Sequence, residues 1–377
     1  MRKKGFAKAG TQRWKCDACR LSSTAEREDA ARMAEFRVFL AWLTGKRSMS
    51  EAAAGLGVTR QASAARIAWC WNVEPSLPPV TRAHRYVIAD GTYVPYDWCL
   101  LILTGDDGRP AKWQWCATET KDAYRQLPRK TERPGLLVCD GGQGRLTAAE
   151  RCLRGIAVQH CLVHVLRNTR VDLTDRPKSE AGKTLLKPAR RLTKVKTPEE
   201  AAAWLADLNR WHGEYGDYLK ERTKAKDDPV HARGRKWWRT HERLRRAYFR
   251  LVRPNRDGML FASCDPDVIK DGGQLPSTTN QLEGGVNAVV KRTLDHHRGL
   301  SEAHMGRCCE WTVYMLTEHP YPMSFVTSEH WRPTRKGTIE RDGPAPGTMT
   351  VVQLPTNGIN AYERGFSIRT GWAGRSH

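Results

Sequence analysis

The sequence lacks any run of about 18 apolar residues, which argues against a membrane-spanning helix. Its basic start, MRKKGFAKAG, leads into no apolar stretch, so no secretory signal is read there. Acidic residues are scarce beside basic ones: 41 Asp and Glu face 63 Lys and Arg, for a net charge of +22. That deficit favours a polyanionic partner, whether DNA, RNA or an anionic membrane. No internal repeat is present. The 11 cysteines are odd in number and scattered. Without an export signal they read as free thiols in a reducing, cytoplasmic compartment, not as a disulfide framework. A chain of 377 residues is too long for one small core, so two or three domains are expected.

What is present begins with WKCDAC, where Cys16 and Cys19 form half of a structural zinc site. Tetrahedral zinc needs four ligands, and no second CxxC or CxxH lies nearby. A helix is expected from about Ala30 to Leu43, with Met33, Phe36, Leu40 and Leu43 at helical spacing. Ser48 and Glu51 are placed as a capping box for a short helix that ends near Gly55 and Gly57. Thr59 can cap a third helix opening with Arg60 and Gln61. Short helix, glycine turn and second helix read as helix-turn-helix, in which Arg60 and Gln61 face base edges of DNA. An ordinary three-helix bundle is the competing reading.

The proline-rich segment 74–81 reads as a linker. Beyond it come five strand candidates: 85–90, 98–105, 111–119, 135–142 and the start of 156–164. GDDGRP forms a hairpin turn between the second and third. Helices are expected over 122–127, 146–153 and after the fifth strand. This α/β order is that of a ribonuclease-H-like fold, although flavodoxin-like folds also place acids at strand ends. Asp90 and Asp140 each close an apolar run and are each followed by Gly.

From about Val171 to Phe261 the strand pattern disappears and an all-α, basic stretch is expected. Between His231 and Arg256 there are ten Lys or Arg and one acid, Glu242. Trp237, His241, Leu244, Tyr248 and Leu251 share one helical face, and Arg239, Arg243, Arg246 and Arg250 another. Such a stripe suits a phosphate backbone, although a solvated face is the commoner fate of a charge run. A further helix over 277–292 carries Glu283, with Asn280, Asn287 and Lys291 able to share its face. Beyond Pro320 the composition reads as an extended tail.

Phosphodiester transfer needs an activated nucleophile and neutralised charge on the attacking and leaving oxygens. Two Mg²⁺ ions on three or four rigid carboxylates supply both. Asp90, Asp140 and Glu283 would make such a set, with Asp90 bridging both ions. Each acid alone is weak evidence; two strand-end acids followed by N-x-x-E-x-x-x-N on a helix are more specific.

DGTYV, VCDGGQG, QHCLVH and STTNQLEGGVN together resemble the Mutator-like DDE transposases of bacterial insertion sequences, over roughly residues 10 to 316. The resemblance implies a ribonuclease-H-like catalytic domain interrupted by a helical insertion. Fifty residues separate Asp90 from Asp140, and 143 separate Asp140 from Glu283, room enough for that insertion. By resemblance the catalytic and metal-holding residues are Asp90, Asp140 and Glu283. The family's Cys-x-x-His element falls on Cys161 and His164, read as supporting residues with Asn280 and Asn287, and not as a zinc site. Relatives often open with a complete zinc ribbon, of which only the second half is present here.

The expected organisation is a partial ribbon over 1–22 and a helix-turn-helix domain over 23–75. A catalytic domain over 83–170 and 275–318 follows, with a helical insertion over 171–274 and a tail over 319–377. The implied activity is cleavage of transposon ends and joining of the 3′-hydroxyl to target DNA, with two Mg²⁺ that Mn²⁺ can replace. The implied partners are double-stranded terminal repeats and target DNA, bound by a homodimer or larger assembly in a bacterial nucleoid. DNA contacts are expected from Arg60, Gln61, Arg239, Arg243, Arg246, Arg250 and Lys291. The alternatives are a nuclease on the same fold without strand transfer, and an inactive DNA-binding regulator.

Overall fold

The computed structural model describes residues 2–8, 10, 12–23, 28–55, 57–77, 82–119, 123–124, 134–140, 155–269 and 273–331. The helix expected over 146–153, nearly all of that over 122–127, the end of the linker and the tail beyond residue 331 lie outside them. Among the described residues no helix is long and apolar enough to cross a membrane. The chain divides into two compact units, one running to Leu77 and resuming at Val289, the other running from Pro78 to Ala288.

In the first unit, strands β1 (Arg2–Phe6), β2 (Gln12–Lys15) and β3 (Ser22–Ser23) form a small antiparallel sheet. Helices α1 (Glu28–Leu43), α2 (Met49–Gly55) and α3 (Arg60–Ile67) follow. The caps are those the sequence dictates. The Ser48 amide donates to the Glu51 carboxylate at 2.7 Å, and the Glu51 amide returns a bond to Ser48 Oγ at 3.2 Å. Thr59 Oγ1 accepts from the Ala62 amide at 3.2 Å. Phe36, Leu40 and Leu43 are buried as their spacing requires. Phe36 packs edge-on against Trp311 of the helix Glu302–Tyr314, and the Trp311 indole donates to the Val73 carbonyl at 3.1 Å.

The second unit is mixed α/β. Strands β4 (Tyr86–Val94), β5 (Trp98–Thr104), β6 (Pro110–Cys116), β7 (Leu136–Cys139) and β8 (Ala157–His160) form one sheet in the order β6-β5-β4-β7-β8. The first three pair antiparallel, while β7 and β8 join β4 in parallel. Every residue of β5 is buried, as an apolar run at the middle of a covered sheet should be. Gly108, at φ +75°, makes the turn between β5 and β6 that an L side chain would strain.

Helix α4 (Leu162–Leu173) leaves β8 directly. Helices α5 (Glu180–Arg191), α6 (Pro198–Tyr215) and α7 (Glu242–Arg256) pack with it around Leu185, Trp204, Leu208, Trp211, Tyr248 and Leu251. The stretch is not wholly helical. Arg222–Lys224 (β9) pairs with Trp237–Arg239 (β10), burying Trp238. Trp237 and Arg239 therefore stand on a strand, and His241 at a helix start, not on the helical faces expected of them. Buried Gln159 ties this region to the sheet: its amide donates to the Leu260 carbonyl at 2.8 Å and its oxygen accepts from the Ser263 amide at 2.9 Å.

Asp172 is buried in the last turn of α4, where a negative charge opposes the helix dipole. Two arginines of α7 offset it: Arg246 Nε reaches Oδ1 at 3.1 Å and Arg250 Nη2 reaches Oδ2 at 2.9 Å. Replacing Asp172 by Ala should therefore lower the unfolding free energy by roughly 1–3 kcal/mol, since both arginines keep some solvent. Urea unfolding of the variant checks it; an unchanged midpoint would remove the clamp from the account.

Candidate active site

The parallel pairing of β4 with β7 ends at Ala89 opposite Cys139. The next residue on each chain is an acid, Asp90 and Asp140. Asp90 does not end its strand as expected: β4 runs on to Val94, paired there with β5. It is 7% exposed, so its carboxylate is fixed within the sheet.

The third acid arrives on a helix in three pieces: Asn280–Leu282, a π-turn over Glu283–Asn287, and Ala288–His296. A π-turn widens the helix by one residue and recurs where a helix serves a site. Gly285 leaves helical dihedrals within it, and a side chain there would meet nothing. Asn287, 2% exposed, donates from Nδ2 to Asp90 Oδ2 at 2.9 Å. One wide turn thus carries both Glu283 and the residue that fastens it to Asp90. Asn280 is exposed and holds no such position; Lys291 is also exposed.

Cys161 and His164 close the site from the start of α4. The Cys161 amide extends the sheet by donating to the Cys139 carbonyl at 2.9 Å. Its buried sulfur accepts from the Thr279 amide at 3.3 Å and lies 3.4 Å from Thr279 Oγ1. Thr279 Oγ1 lies 2.5 Å from Glu283 Oε1, and His164 Nε2 lies 3.8 Å from the same oxygen. His160 Nε2 lies 3.9 Å from Asp140 Oδ1.

The electrostatics follow from this crowding. Burial, then the charges of Glu119, Glu283 and Asp140, raise the Asp90 carboxyl to about 7, with His164 acting against them. The hydrogen bond with Cys161 raises the His164 imidazole to about 9 despite burial. Burial pushes the Cys161 thiol up, but bonds from His164 and Thr279 outweigh it and bring the thiol below its ordinary value. Cys161, His164 and Glu283 present a sulfur, a nitrogen and an oxygen within 4.8 Å of one another. A second acidic grouping, His84 with Asp106 and Asp107, is engaged by Arg82, which bonds both carboxylates.

Glu119 is the residue that sequence reasoning missed. It stands just past β6, accepts from the Tyr124 hydroxyl at 2.6 Å and acts on Asp90. A Cβ added at Gly91 would lie 2.6 Å from Glu119 Cδ, so the Gly of DGTYV makes room for this side chain. The signal was available, since AKWQWCATE is a third apolar run ending in an acid.

The expected arginine stripe is engaged within the chain. Arg239 donates to the Lys220 carbonyl at 2.6 Å, Arg243 to the Val171 and Asp172 carbonyls at 2.9 Å, and Arg246 and Arg250 hold Asp172. In the other unit, Arg60 and Gln61 are exposed at the start of α3. Cys16 follows β2 and Cys19 lies in the turn beyond it; among the described residues no third donor completes a metal set there. No protein-family model matches the chain, and no curated protein matches it.

The raised Asp90 carboxyl links stability to pH. It favours the fold while protonated, so its contribution is complete below the unfolded value near 4 and is lost as pH rises through about 7. In metal-free buffer the unfolding free energy should fall between pH 4 and 7, by on the order of 4 kcal/mol at most, and the thermal midpoint should fall with it. Asp90→Asn should flatten that fall and be the more stable protein at the alkaline end. An equal slope in both proteins would contradict the assignment.

Proposed function

We propose that this chain is a DNA transposase of the Mutator-like DDE type, cutting and joining phosphodiesters at Asp90, Asp140 and Glu283. The observation that carries the reading is that the charges of Glu283 and Asp140 both act on the buried Asp90 carboxyl. The three acids come from β4, from the residue after β7 and from a π-turn far along the chain. The sheet order β6-β5-β4-β7-β8, with three antiparallel strands and then two parallel ones, supports a ribonuclease-H-like fold for this unit. The helical stretch between Asp140 and Glu283 supports the insertion that the resemblance implies.

The donor set fits a hard divalent cation. It is made of carboxylates, and burial and like charge hold Asp90 far above an ordinary aspartate, as expected of a group that gains from a cation beside it. Asp90, Asp140 and Glu283 would hold two Mg²⁺, with Glu119 a fourth carboxylate at hand. When bound, the ions activate the attacking water or 3′-hydroxyl and neutralise charge on the attacking and leaving oxygens.

The chain's own groups do the positioning. Asn287 fixes one oxygen of Asp90 and leaves the other for a ligand. Thr279 and His164 orient Glu283, and His160 flanks Asp140. No covalent protein–DNA intermediate is needed, because the nucleophile is water or DNA. The exposed Arg60 and Gln61, on a capped helix behind a short helix and turn, are offered for sequence recognition.

The test uses a plasmid carrying the two DNA segments that flank the gene. Asp90→Asn, Asp140→Asn and Glu283→Gln should each abolish Mg²⁺-dependent end cleavage and strand transfer from a pre-cut end, while DNA affinity persists. Wild-type cleavage by Glu283→Gln would overturn the assignment, and cleavage without any strand transfer would leave a nuclease. Glu119→Gln and Asn287→Ala should slow both steps by about tenfold to a hundredfold, as losses of supporting partners do. Full activity in both variants would exclude them from the site.

A further inference from the structure

A cleft of about 690 Å³ lies between α7 and the sheet edge, and His160 forms part of its wall. The same His160 flanks Asp140, so the cleft adjoins the carboxylate site. Five arginines line it against two carboxylates, and neither acid is idle. Glu242 pairs with Arg235 at 2.6 Å, and Asp257 with Arg256 at 2.9 Å. Arg246 and Arg250 share Asp172.

Arg245 and Arg253 are different. Their guanidinium carbons lie 4.5 Å and 5.5 Å from the centre of the Phe249 ring, one from each side along the helix. Spacing of four residues puts the three along one stripe, next to the arginines that hold Asp172 and lining the same cleft. Arg245 has a bond to the Leu219 carbonyl, and among the described residues neither arginine has a carboxylate partner. A guanidinium resting over a ring by cation–π attraction keeps N–H donors for bidentate contact with phosphate.

We propose that this cleft holds the phosphodiester backbone of the DNA on which the adjoining site acts, through Arg245 and Arg253 on either side of Phe249. A basic cleft opening beside an acidic centre calls for a ligand with repeated anionic groups. One group must enter among carboxylates accompanied by cations while its neighbours rest on arginine. A phosphodiester strand meets both demands; a single small anion meets only one. The proposal rests on the reading that the site acts on nucleic acid, and it moves the contact from the expected stripe to two arginines beside it on the same helix.

The experiment measures anisotropy of a short labelled DNA duplex with the full chain in EDTA, over a series of salt concentrations. Arg245→Gln with Arg253→Gln should weaken binding by about tenfold to a hundredfold and lower the logarithmic salt slope by about two. Arg245→Lys with Arg253→Lys keeps both charges and should keep the slope. Arg256→Gln, on the same helix but outside the cleft lining, should change affinity less than about twofold. Inorganic phosphate, added at matched ionic strength, should compete only weakly. Unchanged affinity and slope in the Gln pair, or equal loss in the Gln and Lys pairs, would overturn the proposal. So would full competition by inorganic phosphate, which marks a small-anion site. Because EDTA removes catalysis from the readout, a chain that binds as expected but never cuts leaves the cleft standing while the transposase reading falls. A chain that cuts with unchanged KM in the Gln pair sinks the cleft alone.

Discussion

Like charge gathered at one end of a sheet is the constraint around which the second unit is arranged. Asp90 cannot retreat from it, because its backbone lies within a strand that continues to Val94. Its neighbours accommodate it with donors that orient the carboxylates without cancelling them. Asn287 gives Asp90 a neutral N–H, and Thr279 stands by Glu283 with a hydroxyl. His164 brings a positive charge, but the strongest influence on it is its hydrogen bond with Cys161, which takes up much of the effect. The carboxylates are left in place and under-neutralised, which is the state in which added cations gain most.

The basic half of the unit divides by what each arginine touches. Along α7 a step of one residue turns the side chain by about 100°. Arg246 and Arg250 point to the end of α4, where a buried aspartate and a helix dipole need positive charge. Arg245 and Arg253, lining the same cleft, lie against an aromatic ring. A charge run of this density holds two populations, one consumed by folding and one left over, and only the partners of each guanidinium tell them apart.

That division marks how far the sequence could be read. Strand order, both capped helices of the first unit, the place of Asp140 and the helix bearing Glu283 follow from short-range periodicity and cap chemistry, which residues within a turn of each other decide. Asp90 was found but misplaced at a strand end, because antiparallel pairing with β5 depends on residues across the sheet. The pair β9 and β10 was missed because three-residue strands carry too little alternation to stand out from a helical reading. The arginine stripe was read as free because its counter-charge, Asp172, lies some seventy residues away. Glu119 carried the same signal as the other two strand acids, but its partner Tyr124 and its approach to Gly91 exist only after folding.

The long interval between Asp140 and Glu283 does not loosen the site, and the reason is local. Entropy of closing a chain segment grows only with the logarithm of its length, so a helical insertion adds little to that cost. What matters is how its ends are tied. At one end, the Cys161 amide continues the pairing of β8 with β7, the strand that delivers Asp140. At the other, the Leu162 amide donates to the Ser277 carbonyl at 3.0 Å, and the Thr279 amide donates to the Cys161 sulfur at 3.3 Å. The helix bearing Glu283 is therefore tied to the first residues of α4, just past β8, and its π-turn returns to β4 through Asn287. All three acids are referred to the same sheet, and the packing of the intervening helices can change without moving them. The C-x-x-H element earns its place in this way, as the junction where a distant helix is registered to the strands.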